Sequence, residues 1–169
     1  MAEQIPEKIK QFINEADSLY YRLVLLVGKT GSGKTDVLRS IANEDGSEII
    51  NINLAISAEL LELTAKQRVL RLPEILDRIT EDVDAPVILD NIEILFDKQL
   101  QQDPLRLLQK ISRNRATVTA WNGTVNKGCL LYAEAGHQEY RRYESVDALI
   151  VHMNGMESDE STMGKREAE

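Results

Sequence analysis

The feature that most constrains the fold is a glycine-rich stretch between an apolar run and a helical pattern. Its sequence is Gly28-Lys29-Thr30-Gly31-Ser32-Gly33-Lys34-Thr35. The apolar run Leu23–Val27 predicts a strand, and residues 36–42 predict a helix. This order is that of the P-loop, in which glycines let the main chain aim several N–H groups at one polyphosphate. The residues expected to bind the nucleotide are Gly28, Lys29, Thr30, Gly31, Ser32, Gly33, Lys34, Thr35 and Asp36. Lys34 is expected to bind the β- and γ-phosphates and to act as a catalytic residue, and Thr35 is expected to ligate Mg²⁺.

Length and charge limit the classes of protein to which the chain can belong. With 169 residues it is long enough for one P-loop core but too short for that core plus a full helical lid domain. The net charge of -8 argues against binding nucleic acid over the whole surface. Cys129 is the single cysteine, so the chain can form no internal disulfide. We find neither a long apolar stretch nor the basic start of a signal peptide, and therefore expect a cytoplasmic protein without membrane contact.

Hydrophobic periodicity predicts the remaining elements of an α/β fold with a mainly parallel sheet in three layers. We expect one P-loop domain over residues 1–152 and an acidic, disordered tail over 153–169. The predicted helices are 4–20, a short helix capped by Ser57, 73–82 with Pro73 as its first residue, and one beginning at Asp103 and Pro104. Further predicted strands are 48–54, 86–90, 117–121, 130–133 and 148–152.

Asp90 ends the apolar run Pro86-Val87-Ile88-Leu89 and is the predicted acidic partner of the P-loop. If this strand lies beside the P-loop strand in a parallel sheet, its carboxyl end brings Asp90 to the Mg²⁺ held by Thr35. We therefore assign Asp90 as a metal ligand and catalytic residue.

Asn91 occupies the position at which hydrolysing ATPases of this kind usually carry glutamate. An amide can orient a water molecule but cannot take its proton. If the chain stays extended, Glu93 shares the face of Asn91 and could act as the base. Slow hydrolysis, or a nucleotide switch with little turnover, follows from this substitution.

Two arginines, Arg113 and Arg115, follow the helix that begins at Asp103. In one interpretation they complement the dipole at the end of the helix. In the other, one of them reaches the γ-phosphate of a neighbouring subunit as an arginine finger.

Asn122 follows the strand 117–121 and could hold the attacking water or the γ-phosphate. The pair Asn122-Gly123 is equally favourable as a turn. The segment Asn126-Lys127-Gly128 approaches a guanine-binding motif, but Cys129 stands where an aspartate is needed, so adenine is the expected base. Arg141 and Arg142 lie in a basic, aromatic segment which, with Arg113 and Arg115, leaves DNA or partner binding open.

Several segments together resemble the BrxF family, the small P-loop proteins of type III BREX phage-defence systems in bacteria. Besides the P-loop they are Leu89–Phe96, Asp103–Leu108, Ser112–Arg115 and Ala120–Gly123, and the resemblance covers roughly residues 5–152. It implies an AAA+-like core without a helical lid domain and a role in restricting phage beside other BREX proteins. AAA+ relatives act as rings with the site at subunit boundaries, which would give Arg113 or Arg115 a function.

We therefore expect an ATP- and Mg²⁺-binding protein that oligomerises and acts as an ATPase or an ATP-gated switch. One alternative is a small-molecule or nucleotide kinase, although no arginine-rich lid segment is apparent. The other alternative is a scaffold that binds nucleotide without hydrolysing it.

Overall fold

A mainly parallel sheet forms the centre of the computed structural model, which describes residues 4–154. Its strands in chain order are β1 (Leu23–Gly28), β2 (Ile49–Asn51), β3 (Val87–Asp90), β4 (Thr117–Asn126), β5 (Cys129–Tyr132), β6 (Arg141–Tyr143) and β7 (Leu149–His152). Across the sheet the parallel strands lie in the order β2-β3-β4-β1-β7. The strands β5 and β6 pair antiparallel beyond the carboxyl end of this sheet, on the extension of β4. The predicted α/β fold class is confirmed.

Helices cover both faces of the sheet and complete the three layers. They are α1 (Gln4–Ala16), α2 (Lys34–Asp45), α3 (Ile52–Leu60), α4 (Ala65–Glu81) and α5 (Pro104–Ile111). Side chains of β1 alternate between the faces: Val24 and Leu26 pack with α1 and α2, whereas Leu23, Leu25 and Val27 pack with α3, α4 and α5. Both faces of β1 are therefore buried, which is typical of a strand inside a parallel sheet.

The strand predicted over 48–54 is shorter, and this part of the prediction is wrong. Asn51 ends β2, and its side-chain oxygen accepts a hydrogen bond from the Leu54 N–H at 3.1 Å. Asn51 is therefore the cap of α3, and Ser57 lies inside that helix rather than at its start. An asparagine cap satisfies a free N–H of the first helical turn, which ends the strand three residues early.

Pro73 lies in the middle of α4, so the predicted helix start at this residue is also wrong. The helix begins after Thr64, which forms a capping box with Gln67. Proline leaves the carbonyl of Val69, four residues earlier, without its helical donor. The side-chain amide of Gln102 donates to that carbonyl at 2.9 Å, and the helix continues past the proline.

The strand that leads to Asn122 does not end there but continues to Asn126 and turns at Lys127 and Gly128. The turn interpretation of Asn122-Gly123 is therefore wrong. A glycine is needed at position 123 of the strand, because a Cβ there would overlap the carbonyl oxygen of Leu131 on β5. Residues 155–169 of the predicted tail lie outside the described residues.

Candidate nucleotide-binding site

The loop between β1 and α2 has the backbone that the glycine spacing predicts. Gly31 and Gly33 adopt φ values of 82° and 99°, which side chains other than glycine rarely tolerate. Gly28 is required for a different reason, since a Cβ there would lie 2.6 Å from Met153 Cγ and from Ser32 Oγ. The loop therefore curls tightly, and Lys29, Thr30, Ser32 and Asp36 are exposed around it.

Lys34 is buried beneath this loop, with 6% of its surface exposed. Its Nζ donates to the carbonyl oxygens of Gly28 and Lys29 at 2.8 and 2.7 Å. Burial lowers the pKa of Lys34, and the nearby charges of Glu93 and Asp90 partly oppose this effect. The ammonium group is thus held at the loop by acceptors that an anionic phosphate can replace.

Thr35 and Asp90 meet at the carboxyl end of the sheet. The Thr35 hydroxyl donates to Asp90 Oδ2 at 2.7 Å, and Asp90 Oδ1 accepts from the Asn91 N–H at 2.9 Å. Asp90 is only 6% exposed. A threonine hydroxyl and a carboxylate oxygen are ligands that Mg²⁺ prefers. The type of these two ligands and their position beside the P-loop therefore fit a Mg²⁺ site.

The route by which Asp90 reaches Thr35 differs from the prediction. The strand β3 does not lie beside β1, because β4 is inserted between them. Thr35 is the second residue of α2, and its hydroxyl reaches the last residue of β3, Asp90. The expected proximity is present, but the expected strand adjacency is wrong.

Asn91 and Glu93 do not share an extended segment. Asn91 has a φ of 53°, its side chain is exposed, and a 3₁₀ turn follows over Glu93–Phe96. The alternation argument for Glu93 is therefore wrong, because the chain turns directly after β3. The same turn nevertheless directs Glu93 towards Asn122 on β4.

The Glu93 carboxylate is held by two asparagine side chains. Asn122 Nδ2 donates to Oε2 at 2.5 Å, and Asn53 Nδ2 donates to Oε1 at 3.2 Å. The Asn53 side-chain oxygen also accepts from the Ile94 N–H at 2.8 Å, and its backbone N–H donates to the Asn91 carbonyl at 2.8 Å. Sequence reasoning missed Asn53, although a polar residue just past β2 follows the rule that carboxyl ends of parallel strands meet.

Arg113 and Arg115 lie away from this cluster, in the segment that leads into the first residue of β4. Arg113 Nη1 donates to the Tyr20 carbonyl at 3.2 Å, and its guanidinium lies 3.7 Å over the Tyr20 ring. Arg115 Nη1 donates to the carbonyls of Thr80, Glu81 and Val83 at the end of α4. Both precede β4, whereas the P-loop follows β1, so within one chain the fold keeps them at opposite ends of the sheet.

Arg141 and Arg142 lie on β6 of the antiparallel extension. Arg141 donates to the carbonyl of Gln102 at 2.7 Å, and Arg142 pairs with Glu144 at 2.5 Å. Side chains along β6 alternate in exposure, and Arg142 is the exposed one.

No helix of residues 4–154 is both long and apolar enough to cross a membrane.

Comparison with known proteins supports the P-loop interpretation. Searches of curated proteins and of solved structures gave no significant match. The model of the ATPase family associated with various cellular activities (AAA) matches residues 24–121, which is more than half of the chain and runs from β1 to β4. With this match and the arrangement of Lys34, Thr35 and Asp90, the chain belongs to the AAA family.

Proposed function

We propose that this protein binds ATP with Mg²⁺ and acts as an ATPase or an ATP-gated switch. The observation that carries the proposal is the 2.7 Å hydrogen bond between the Thr35 hydroxyl and the Asp90 carboxylate beside the P-loop. These are a helix residue and a strand residue 55 positions apart, brought together where a nucleotide-bound cation would need both. AAA proteins generally bind ATP with Mg²⁺, and membership of that family supports the same assignment.

Each residue at the site then has a distinct task. The N–H groups of the loop and the start of α2 bind the phosphates, and Lys34 leaves its carbonyl partners to pair with them. Thr35 and Asp90 would hold Mg²⁺, which when bound supplies charge neutralisation for the phosphate oxygens. Glu93 accepts the proton of the attacking water, and Asn122 positions Glu93 or the γ-phosphate.

The hydrogen bonds that Asn53 and Asn122 donate to the Glu93 carboxylate favour a slow rate of ATP hydrolysis. Each carboxylate oxygen keeps a further lone pair for water, but the two asparagine amide groups fix the orientation of the carboxylate, so it can follow an attacking water molecule only if these hydrogen bonds rearrange. The exposed Asn91 offers no replacement base, because an amide cannot take a proton at neutral pH. A nucleotide-dependent scaffold is the second candidate that this geometry supports.

We further propose that the protein works in the cytoplasm in a BREX phage-defence system, with other BREX proteins and as a homo-oligomer. The family-specific segments described above support the defence role. Arg113 or Arg115 would serve a neighbouring subunit, since both lie far from the P-loop of their own chain. DNA contact would use these two residues together with Arg141 and Arg142.

The test is nucleotide binding and turnover by the wild type, Lys34→Ala and Glu93→Gln. Loss of binding in the first variant, with loss of turnover alone in the second, supports the ATPase. Binding without turnover in the wild type supports the switch. ADP formation that depends on an added acceptor would instead indicate a kinase. Mass in solution with and without an ATP analogue and DNA tests the oligomer and the DNA contact.

A further inference from the structure

The chain leaves the sheet directly beside the P-loop. Because β7 runs parallel to β1, with His152 opposite Val27, both strands end at the same edge of the sheet. The Met153 N–H donates to the Val27 carbonyl at 2.9 Å, so the pairing with β1 continues one residue past the end of β7. The residues that follow Met153 in the sequence therefore start next to the loop.

The Met153 side chain fixes this exit point against the loop. A Cβ at Gly28 would lie 2.6 Å from Met153 Cγ, and a Cβ at Gly33 would lie 3.5 Å from Met153 Cε. The side chain thus extends from the first glycine of the loop to the last. Asn154, which is exposed, borders the same cavity as Lys29 and Ser32 of the loop. The last described residue therefore lies beside the exposed part of the P-loop.

The sequence that continues from Asn154 is acidic. Gly155 and Met156 are followed by Glu157-Ser158-Asp159-Glu160, which places three carboxylates within six residues of Asn154. An extended chain spans at most about 3.3–3.6 Å per residue, so Glu157 is within about 10 Å of Asn154 along the chain. The residues 157–160, here called the acidic segment, are therefore attached close enough to reach the loop.

The loop offers the charge that complements these carboxylates. Its N–H groups and the start of α2 attract anions, carboxylates as well as phosphates. Lys29 is exposed on the loop, and Lys34 donates there to two carbonyl oxygens at 2.8 and 2.7 Å. Asp36, the acidic residue in the first turn of α2, is paired with Arg39 at 3.2 Å. A carboxylate at the loop would use the same charge-assisted donors as a phosphate.

We propose that the acidic segment binds back onto the P-loop of its own chain and competes with the phosphates of the nucleotide. The proposal rests on the proposed function, because it takes the loop to be an anion site. Attachment through Asn154 keeps the carboxylates near the loop at an effective concentration on the order of millimolar, so a weak contact is enough to occupy it. The contact is autoinhibitory, since nucleotide binds only to the chains in which the segment has left the loop.

Removal of residues 155–169 tests the proposal by calorimetry with Mg²⁺ and ATP. If the segment occupies the loop in about 70–90% of the chains, the shortened protein should bind ATP about threefold to tenfold more tightly than the full chain. The difference should shrink to less than about twofold in about 0.5 M salt, because salt screens the attraction between carboxylate and loop. Equal affinities of the two forms at low salt would overturn the proposal.

Two matched pairs of substitutions in the full chain separate this contact from general repulsion between an acidic tail and ATP. Glu157→Gln with Glu160→Gln removes two charges from the acidic segment and should tighten ATP binding about twofold to fivefold. Glu167→Gln with Glu169→Gln removes two charges farther along the chain. This control should change the affinity by less than about twofold, because the effective concentration falls as the connecting chain lengthens. An equal gain in both double variants would overturn the contact in favour of general repulsion.

Nuclear magnetic resonance of isotopically labelled protein reports the contact without ATP. The amide signals of Gly31, Gly33 and Lys34 should shift in the Glu157→Gln, Glu160→Gln variant and stay in place in the control pair. Unchanged loop signals in both would overturn the autoinhibitory contact, and shifts that depend on protein concentration would overturn its assignment to the same chain. If no form binds ATP while the loop signals shift as expected, the proposed function fails and the contact stands.

Discussion

The side-chain amide of Asn122 lies 2.5 Å from the Glu93 carboxylate and so joins β4, at the level where β1 ends, to the turn that follows β3. Asn53, in the first turn of α3 just past β2, donates to the other oxygen of the same carboxylate. Three adjacent strands thus converge on one acidic side chain, next to the Thr35–Asp90 pair. This convergence is the basis for assigning the proton acceptor.

Glu93→Gln should lower ATP turnover by about 10²- to 10⁴-fold, because the amide keeps the shape of the side chain but cannot accept the proton. The affinity for ATP should stay within about twofold of the wild type, since Glu93 is not a ligand of the phosphates. Steady-state hydrolysis and calorimetry measure the two quantities. Asn91→Ala is the matched control. If it abolishes turnover while Glu93→Gln does not, the base has been assigned to the wrong residue.

Asn53→Ala should lower turnover by about tenfold without changing the affinity for ATP, because Glu93 loses part of its positional hold. The two lost side-chain hydrogen bonds should also lower the free energy of unfolding by about 1–2 kcal/mol. Asn51→Ala is a close control, since it removes the cap of α3 without a contact to Glu93. We expect the control to cost about 1 kcal/mol of stability and to keep turnover. An equal loss of turnover in both variants would assign the effect to the helix rather than to Glu93.

Binding of ATP should be coupled to proton uptake in alkaline solution. Burial lowers the pKa of Lys34 in the free protein, and phosphate charges beside the ammonium raise it again on binding. At a pH between the lowered pKa of Lys34 in the free protein and its higher pKa in the complex, binding should therefore take up a fraction of one proton. Calorimetry in two buffers of different ionisation enthalpy measures this uptake. Lys34→Arg keeps the charge but does not titrate, so the buffer dependence should vanish; its persistence would place the titrating group elsewhere.

Arg115→Ala should lower the free energy of unfolding by about 1–3 kcal/mol, because three carbonyls at the end of α4 lose their donor. Arg113→Ala removes one exposed hydrogen bond and a ring contact and should cost about 0.5–1 kcal/mol. Urea unfolding compares the two variants. Turnover of the assembled protein that falls by more than this loss of stability explains would identify the arginine that serves a neighbouring subunit.

Local chemistry explains which parts of the site the sequence could predict. The glycine spacing predicts the P-loop, because phosphate binding requires all of its residues within a short segment. The position of an aspartate at the end of an apolar strand likewise identifies Asp90. Strand order depends on long-range packing, so nothing local indicates that β4 lies between β3 and β1. Asn53 was missed for the same reason, since it becomes informative only once β2 is known to lie beside β3.

Two errors in the element boundaries have causes that are distant along the chain. Pro73 predicts a helix start, but the carbonyl it leaves without a donor is satisfied by Gln102, which lies beyond the next strand. Asn122-Gly123 predicts a turn, but this glycine is needed where β5 approaches β4. In both cases a contact between distant segments overrides the local preference.

Calorimetric titration of Mg²⁺ and ATP into the wild type, Asp90→Ala and Lys34→Ala tests the central claim most directly. We predict one binding site per chain in the wild type, with an affinity that falls when Mg²⁺ is omitted. Asp90→Ala should abolish the dependence on Mg²⁺, and Lys34→Ala should weaken binding by at least about hundredfold. No heat of binding in the folded wild type, or binding that neither variant changes, would contradict the account.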